Sequence, residues 1–274
     1  MKRYGGLDTG SRCKGVAMKN ILYEDNDILV VFKPAGIATQ TSRIGQQDMV
    51  SELKNYLVKA QKEEREKNIG KSLTGKQEIQ EPYIGLVHRL DQPVSGVLVF
   101  AKNKKAAADL SNQITNGTMK KFYYALIYGT PIRDHDTLED YLYKDGRENL
   151  SLIVNSTFPD AKKAILKYRH CTTLMELEEG EEVSLMEIEL LTGRHHQIRA
   201  QMSNAGMPLL GDSKYGSERS KELSRVIGCK NVALCAYKLI FQHPVTHKKM
   251  SFEREPEGEL FVPFLTQLPF AVSV

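Results

Sequence analysis

The sequence predicts an α+β fold with a mostly antiparallel, mixed sheet and flanking helices. Short apolar, β-branched runs outnumber helical patterns, and several of these runs follow one another with no helix between them. This order argues against a doubly wound βαβ sheet. The 274 residues, of which 41% are hydrophobic, are enough for one large domain or two small ones.

The individual elements follow from apolar periodicity and from glycine and proline breaks. After Met49, the side chains of Leu53 and Leu57 share one helical face, and Asn103 is suited to cap a second helix that stops at Gly117. The predicted strands are residues 21–23, 28–33, 97–101, 120–129, about 162–170, 183–191, 232–241 and about 249–252. The predicted helices are residues 49–67, 104–114 and 195–205, with turns at 34–36 and 243–244 and a polar loop over 68–82.

Charge and cysteine content narrow the class of protein. A formal net charge of +4 and a pI of about 8.7 permit nucleic acid as a partner but do not require it. The four cysteines form no CxxC pair, which is typical of reduced thiols in a cytosolic protein. No segment resembles a membrane span or a signal peptide, so we expect a cytoplasmic protein.

The motif HRLDQPVSG places a single carboxylate, Asp91, in a loop just ahead of a predicted strand. A proline and a glycine mark the loop, and loops held by a rigid sheet commonly carry catalytic groups. The alternative interpretation is that Asp91 pairs with Arg89 or His88 at the surface. The motif by itself leaves both interpretations open.

The motif LTGRHHQIR opens the predicted helix over residues 195–205. Arg199 borders the apolar stripe that contains Ile198 and Met202, which predicts a partly buried guanidinium. An unpaired charge in such a place costs several kcal/mol, so Arg199 needs an anionic partner. We expect that partner to be Asp91.

Two adjacent histidines in the same motif are candidate metal ligands. On a helix, His195 and His196 would point about 100° apart and could not easily share one ion. Neither has an acidic residue or a histidine four positions later. We therefore expect no metal site, and we expect these rings to form hydrogen bonds or to face a nucleic acid.

The motif KKFYYAL, at residues 120–126, contains two adjacent tyrosines on a predicted strand. Tyr123 and Tyr124 should face opposite sides of the sheet. A tyrosine ring can stack on a nucleic-acid base while its hydroxyl forms a hydrogen bond. The alternative is that both tyrosines reflect β-propensity alone.

These three motifs, in this order, resemble the RluA-type family of RNA pseudouridine synthases. The resemblance extends from about residue 21 to residue 253. The blocks that carry it are ILVVFKPAGIATQ (28–40), HRLD…SGVLVFAK (88–102), KKFYYALIYG (120–129), LLTGRHHQIRAQMSNAGMPLLGDSKYG (190–216) and ALCAYKLIFQHPVT (233–246).

The resemblance implies a catalytic carboxylate at Asp91 and a basic partner at Arg199. It also implies an active-site tyrosine at Tyr123, which fits the pattern K-x-Y-x-A. Arg89 is similar to the family's arginine that helps displace the target base. Leu234 is similar to a residue in an apolar wall of the pocket.

Four further residues are expected to bind the RNA or line its pocket, namely His88, Arg194, Gln197 and Ile198. The resemblance implies a cytoplasmic, bacterial isomerase that acts on ribosomal or transfer RNA. It implies no cofactor, which agrees with the lack of a nucleotide-binding glycine motif. We expect a monomer.

The chain departs from the family pattern at two positions. Val94 stands where the family usually has threonine, and Cys235 stands where it usually has histidine. Many members carry an N-terminal S4-type RNA-binding module, which the first 20 residues are too few to form. We therefore predict an N-terminal extension over residues 1–20 and one catalytic domain over residues 21–274.

Two other functions fit parts of the sequence. A nucleoside-cleaving or glycosidase-like hydrolase could use Asp91, but such enzymes usually need two cooperating carboxylates and would release free uracil. A non-catalytic RNA-binding module would keep the basic surface and would not need Asp91. Both alternatives are distinguished by the product formed and by substitution of this carboxylate.

Overall fold

The computed structural model describes residues 20–41, 45–68, 81–175 and 181–268. The predicted N-terminal extension and the predicted polar loop over 68–82 lie almost entirely outside these ranges, as does Cys13. Cys171, Cys229 and Cys235 are free thiols. Among the helices in these ranges, none combines the length and the apolar character that crossing a membrane requires.

The described chain forms eleven strands and five helices in the following order. They are β1 (Ile21–Glu24), β2 (Ile28–Lys33), α1 (Met49–Asn68), β3 (Gly85–Leu86), β4 (Ser95–Ala101), α2 (Lys104–Thr115), β5 (Lys120–Tyr128), β6 (His135–Asp145), β7 (Leu150–Val154), β8 (Lys162–Met175), β9 (Glu182–Leu190), α3 (Gln197–Asn204), α4 (Glu218–Val226), β10 (Leu234–Gln242), β11 (Lys249–Glu253) and α5 (Val262–Leu265).

All of these strands belong to one sheet, in the order β1-β2-β4-β10-β5-β9-β8-β6-β7, with β11 beside β10 and β3 beside β4. Among the described strands, only β10 and β4 run parallel, and every other pair is antiparallel. The predicted α+β fold with a mostly antiparallel, mixed sheet is confirmed.

The centre of the sheet is buried on both faces. On β2, Leu29 and Val31 join one apolar cluster while Ile28, Val30 and Phe32 join another. This alternation is the period of a strand covered from both sides. Helices α1 and α3 contribute to the first cluster, and α2 contributes to the second.

Several local predictions are confirmed by contacts. The Asn103 side chain accepts a hydrogen bond from the Ala106 backbone N–H at 2.8 Å, and the helix ends before Gly117, which has a φ of +67°. Tyr123 and Tyr124 face opposite sides of the sheet. Tyr123 joins the first cluster, while Tyr124 packs with the second.

Two parts of the fold differ from the predictions. The helix predicted over 195–205 begins at Gln197, because the backbone of His196 is left-handed, with φ 49° and ψ 24°. The predictions also omit β3 and α5, which have only two and four residues, and they omit three longer elements, β6, β7 and α4. These elements expose many polar side chains and bury few apolar ones, so their sequences lack the apolar clustering that marks the central strands.

Gly96 lies at a close contact between β4 and β10. It pairs with Ala236 in the parallel ladder and has a φ of +138°. A Cβ atom at this position would lie 2.5 Å from the backbone N and O of Ala236. Glycine is required here both by space and by backbone conformation.

Replacing Gly96 with alanine should therefore destabilise the protein strongly. Overpacking and backbone strain together predict a loss of roughly 2–6 kcal/mol in the free energy of unfolding, measured by urea denaturation. Gly117→Ala is the matched control. Gly117 also has a positive φ, but its Cβ would meet nothing within 4 Å, so only the strain cost of about 1–2 kcal/mol is expected. Equal losses in the two variants would contradict the close-approach explanation.

Candidate active site

A cleft of about 600 Å³ opens at one end of the central strands. Its walls come from five parts of the chain: the loop before β4, the end of α2 with the turn after it, strand β5, the segment that leads into α3, and the first residue of β10. All nine residues selected from the sequence line this cleft. They are His88, Arg89, Asp91, Tyr123, Arg194, Gln197, Ile198, Arg199 and Leu234.

The loop that carries Asp91 is fixed by the turn that follows β2. The Lys33 side chain is fully buried, and its Nζ donates hydrogen bonds to the carbonyls of Pro34, Ile37 and Gln92 at 3.0, 2.7 and 3.1 Å. Burial lowers the pKa of Lys33 to about 7, although nearby negative charge opposes the shift. Lys33 thus joins the turn after β2 to the Asp91 loop, although no local sequence signal marks it as a site residue.

Two further hydrogen bonds, between Thr39 and Leu90, hold the same loop. Thr39 Oγ1 donates to the Leu90 carbonyl at 2.8 Å, and the Leu90 N–H donates back to Thr39 Oγ1 at 3.2 Å. Within the loop, the Val94 N–H donates to the Asp91 carbonyl at 3.0 Å. The Asp91 carboxylate is thereby held at the cleft, where 27% of its side chain remains exposed.

Arg199 is buried and bridges two carboxylates. Its Nε and Nη2 donate to the two oxygens of Asp212 at 2.7 and 2.8 Å. Its Nη1 reaches Asp91 Oδ2 at 3.3 Å. The prediction that Arg199 contacts Asp91 is confirmed, but its principal partner is Asp212, which forms a bidentate pair of the kind that fixes a guanidinium plane.

Asp212 is itself ordered by the turn that contains it. Its side chain is fully buried, and its Oδ1 also accepts the backbone N–H groups of Lys214 and Tyr215 at 3.0 and 3.1 Å. Burial alone would raise the pKa of Asp212, but the hydrogen bonds and charge of Arg199 hold it below its usual value. Asp212 is therefore ionised at neutral pH.

His196 is the second side chain that lies beside the Asp91 carboxylate. Its Nε2 lies 3.6 Å from Asp91 Oδ2, and its Nδ1 lies 3.0 Å from the hydroxyl of Tyr215. That hydroxyl accepts the Ser151 N–H at 2.6 Å, so its own proton is available to Nδ1, which leaves Nε2 protonated toward Asp91. Burial lowers the pKa of His196 to about 4, although the charge of Asp91 opposes the shift, so the ring is neutral at pH 7.

The prediction that the rings of His195 and His196 point in different directions is wrong. Both residues precede α3, and their rings stack with centroids 3.7 Å apart. His195 Nδ1 lies 3.0 Å from Ser151 Oγ, and its Nε2 lies 3.1 Å from Asn149 Oδ1. His195 and His196 therefore form hydrogen bonds, as expected, and brace the segment beside Asp91.

Tyr123, Ile198 and Leu234 supply apolar walls of the cleft, and each is at least 95% buried. The Tyr123 hydroxyl forms no hydrogen bond with any residue that the structure describes. Burial raises the pKa of Tyr123, so the phenol is neutral. Tyr123 therefore presents to the cleft a planar ring and a hydroxyl with no hydrogen bond to a described residue.

Comparisons with known proteins agree with this geometry. The RNA pseudouridylate synthase family model matches residues 27–204. The chain belongs to the RNA pseudouridine synthase family. This confirms the family that the sequence motifs predicted and makes the protein a member of a family of RNA isomerases.

Relatives of this synthase cover most of its length. It is 33% identical over 234 residues to an uncharacterized RNA pseudouridine synthase of Bacillus subtilis, an alignment that covers 85% of this chain and 68% of that protein. It is 32% identical over 238 residues to the ribosomal large subunit pseudouridine synthase D of Zymomonas mobilis, covering 86% of this chain and 68% of the relative.

Two solved human structures share the fold of this synthase. Human RNA pseudouridylate synthase domain containing 1 superposes with a TM-score of 0.64 at 22% identity, covering 86% of this chain and 83% of that one. Human RNA pseudouridylate synthase domain containing 4 gives a TM-score of 0.64 at 20% identity, covering 91% and 93%. At these identities the likeness shows a common architecture.

Two of the residues expected to bind RNA have their polar atoms engaged inside the synthase. His88 Nε2 accepts the Val99 N–H at 3.2 Å, and burial lowers the pKa of His88 to about 3. The Gln197 amide accepts from Thr192 and Arg194 and donates to Ile165 and Gln201. These contacts order the walls of the cleft.

Arg89 and Arg194, in contrast, are exposed at the mouth of the cleft. Both cations are available to an anionic substrate. The positions that depart from the family pattern, Val94 and Cys235, are buried. Burial raises the pKa of Cys235 to about 12, so its thiol is neutral.

Replacing Asp212 with asparagine should destabilise this synthase, because it leaves the buried Arg199 without its principal counter-charge. Loss of one partner of a buried pair predicts a decrease of roughly 3–5 kcal/mol in the free energy of unfolding at pH 7, measured by urea denaturation. Asp136→Asn is the control, since Asp136 also pairs with an arginine, Arg133, but 34% of its side chain is exposed and 71% of that of Arg133 is. We expect it to change stability little.

The difference in unfolding free energy between the parent and Asp212→Asn should depend on pH. Because the pKa of Asp212 is lowered in the folded state, its stabilising contribution is present above the unfolded pKa. It is lost as the pH falls through the folded pKa. The stability gap between the parent and Asp212→Asn should therefore narrow below about pH 4. A gap that stays constant down to pH 2 would count against an ionised Asp212.

Proposed function

We propose that this protein isomerises specific uridines in ribosomal or transfer RNA to pseudouridine, with Asp91 as the catalytic carboxylate. The supporting observation is the position of Asp91 Oδ2, which faces the cleft 3.3 Å from Arg199 Nη1. A relative named as a ribosomal large subunit pseudouridine synthase supports ribosomal RNA as one substrate class.

The proposed reaction exchanges one bond of the nucleoside for another. The bond between N1 of uracil and C1′ of the ribose breaks, and a bond from C5 to C1′ forms. The proton lost from C5 is balanced by protonation at N1, so there is no net oxidation. The ring must rotate without leaving, and the apolar side chains of Tyr123, Ile198 and Leu234 in the cleft wall are suited to hold it.

The cleft residues divide these tasks. Asp91 supplies the negative charge that acts on the nucleoside, and Arg199 keeps that carboxylate oriented. The Tyr123 ring lies against the uracil plane, with its hydroxyl free to bond the base. Since burial keeps this phenol neutral, Asp91 is the stronger candidate to accept the C5 proton.

Access to the uridine requires that the base leave its stack, at a cost of a few kcal/mol. Arg89 lies at the mouth of the cleft, two residues before Asp91, with an exposed side chain. We propose that the Arg89 side chain fills the space that the displaced base leaves in the stack.

The hydrolase alternative lacks a second carboxylate. Among the described residues that line the cleft, Asp91 alone carries one. Asp212 lies behind Arg199, fully buried, with both oxygens bonded. An isomerase needs no second carboxylate to activate water, so this arrangement favours isomerisation over hydrolysis.

Asp91→Asn should abolish pseudouridine formation while leaving RNA binding within about threefold of the parent. The amide keeps the shape of the side chain but removes its charge, and we expect the rate to fall by at least about 10²-fold. Pseudouridine in ribosomal and transfer RNA after incubation with purified protein is the measurement.

Asp134→Asn is the control for this test, because Asp134 is 84% exposed and lies outside the cleft. It should retain full activity. Undiminished pseudouridine formation by Asp91→Asn would refute the proposed mechanism. Release of free uracil by the parent, with no isomerised product of unchanged mass, would favour the hydrolase.

Tyr123→Phe should separate the role of the ring from that of the hydroxyl. The ring is kept, so the dissociation constant for RNA should change little, whereas loss of one hydrogen bond to the base should lower kcat/KM by roughly 10- to 100-fold. Tyr124→Phe is the matched control, since Tyr124 faces away and stacks on Tyr237 at 3.9 Å. Equal effects of the two substitutions would exclude a specific role for the Tyr123 hydroxyl.

A further inference from the structure

A second cleft of about 460 Å³ adjoins the first on the side of strands β6, β7 and β8. Four residues line both clefts: Arg89, Gly193, Arg194 and His195. The two cavities are therefore continuous around the segment that leads into α3. The second one has the volume of a small-ligand site, which usually lies between about 300 and 1,000 Å³.

Strand register places two lysines on the face of the sheet that meets this segment. Lys162 pairs directly with Leu142, and Lys144 pairs with Ser151. Side chains of paired residues share a face, and so do residues two positions apart on one strand. Leu142 packs against Ala200 of α3, which fixes the direction in which that face points.

Ser151 joins this face to the first cleft. Its Oγ donates to the His195 carbonyl at 2.6 Å and lies 3.0 Å from His195 Nδ1. Arg194 is tied to the same strands, because its Nε donates to the Lys163 carbonyl at 2.9 Å. The basic groups of the second cleft are thus held at a fixed position relative to Asp91.

The second cleft is strongly cationic. Arg89, Lys144, Lys162 and Arg194 line it, and within the described ranges Asp160 is its one acidic residue. None of the four cations forms an ion pair with a residue that the structure describes. An anion of one or two charges would therefore find unoccupied partners here.

We propose that the second cleft binds the phosphate and sugar of the nucleotide adjacent to the target uridine. This inference rests on the proposed function, which supplies the uridine in the first cleft. Arg89 lies between the two cavities, so the RNA backbone would pass from one to the other beside it. Holding the neighbouring phosphate fixes the chain while the target base is displaced.

The test compares two double variants. Lys144→Gln with Lys162→Gln removes two charges from the cleft, and Lys248→Gln with Lys249→Gln removes two exposed charges near the β10–β11 turn. The dissociation constants for bulk ribosomal RNA and bulk transfer RNA are measured from 50 to about 300 mM salt. Pseudouridine formation in the same RNA is measured in parallel.

We expect the cleft variant to bind RNA roughly 10- to 100-fold more weakly at the lowest salt. Its plot of log binding constant against log salt should be shallower by about 0.7, since the cleft holds one phosphate and each neutralised phosphate of single-stranded RNA contributes about 0.7. Pseudouridine formation from limiting RNA should fall by a similar factor. The control variant should match the parent in all three quantities, apart from a small general weakening of RNA binding caused by its lower net positive charge.

A second measurement tests which phosphate is bound. Once a modified uridine is mapped, short oligonucleotides carry a neutral methylphosphonate at either neighbouring linkage. One of the two replacements should weaken binding by the parent about tenfold and should have almost no further effect on the cleft variant. Additive losses at both linkages would overturn the proposed placement.

The outcomes separate this inference from the proposed function. Pseudouridine formation by the parent, together with identical salt slopes for the cleft and control variants, would overturn the inference alone. RNA binding by the parent without any pseudouridine would overturn the proposed function and the inference with it. A selective loss of affinity in the cleft variant, with product still formed, supports both.

Discussion

The candidate active site depends on one buried arginine that two carboxylates share. Asp212 holds the Arg199 guanidinium through two short hydrogen bonds, whereas Asp91 receives a single longer one. A buried guanidinium is tolerated only when it is paired, and Asp212 provides that pairing. Asp91 therefore keeps charge available for a substrate. The orientation of Arg199 does not depend on what Asp91 binds, which is the condition for a preorganised site.

Strand order explains how these groups meet. Asp91 precedes β4, Tyr123 lies on β5, and Leu234 begins β10, which runs between those two strands. Because β10 is parallel to β4, both strands begin at the same end of the sheet. The two parallel strands can lie this close at Gly96 because glycine has no side chain. Lys33 pairs with Gly96 on the neighbouring strand and anchors the Asp91 loop at that point.

The sequence reveals those parts of the fold and site whose signals are local. Apolar clustering marks the central strands, the Asn103 cap marks a helix start, and the motifs identify Asp91 and Arg199. The polar strands β6 and β7 lack such clustering, because only one of their faces packs on the protein. The bond between Arg199 and Asp212 and the left-handed backbone of His196 arise from packing between separate segments. Nothing in the local pattern distinguishes Asp212 from an ordinary turn aspartate.

The sheet separates the groups that would act on the base from those that would hold its neighbours. Strands β4, β5 and β10 are buried at the centre, so a substitution there disturbs packing as well as chemistry. Lys144 and Lys162, on β6 and β8, are exposed near the outer end of the sheet, where substitutions usually cost little stability. If RNA is the substrate, substitutions on the outer strands can therefore alter contacts to the nucleotides around the target uridine. The buried Arg199 and its two carboxylates would not be affected.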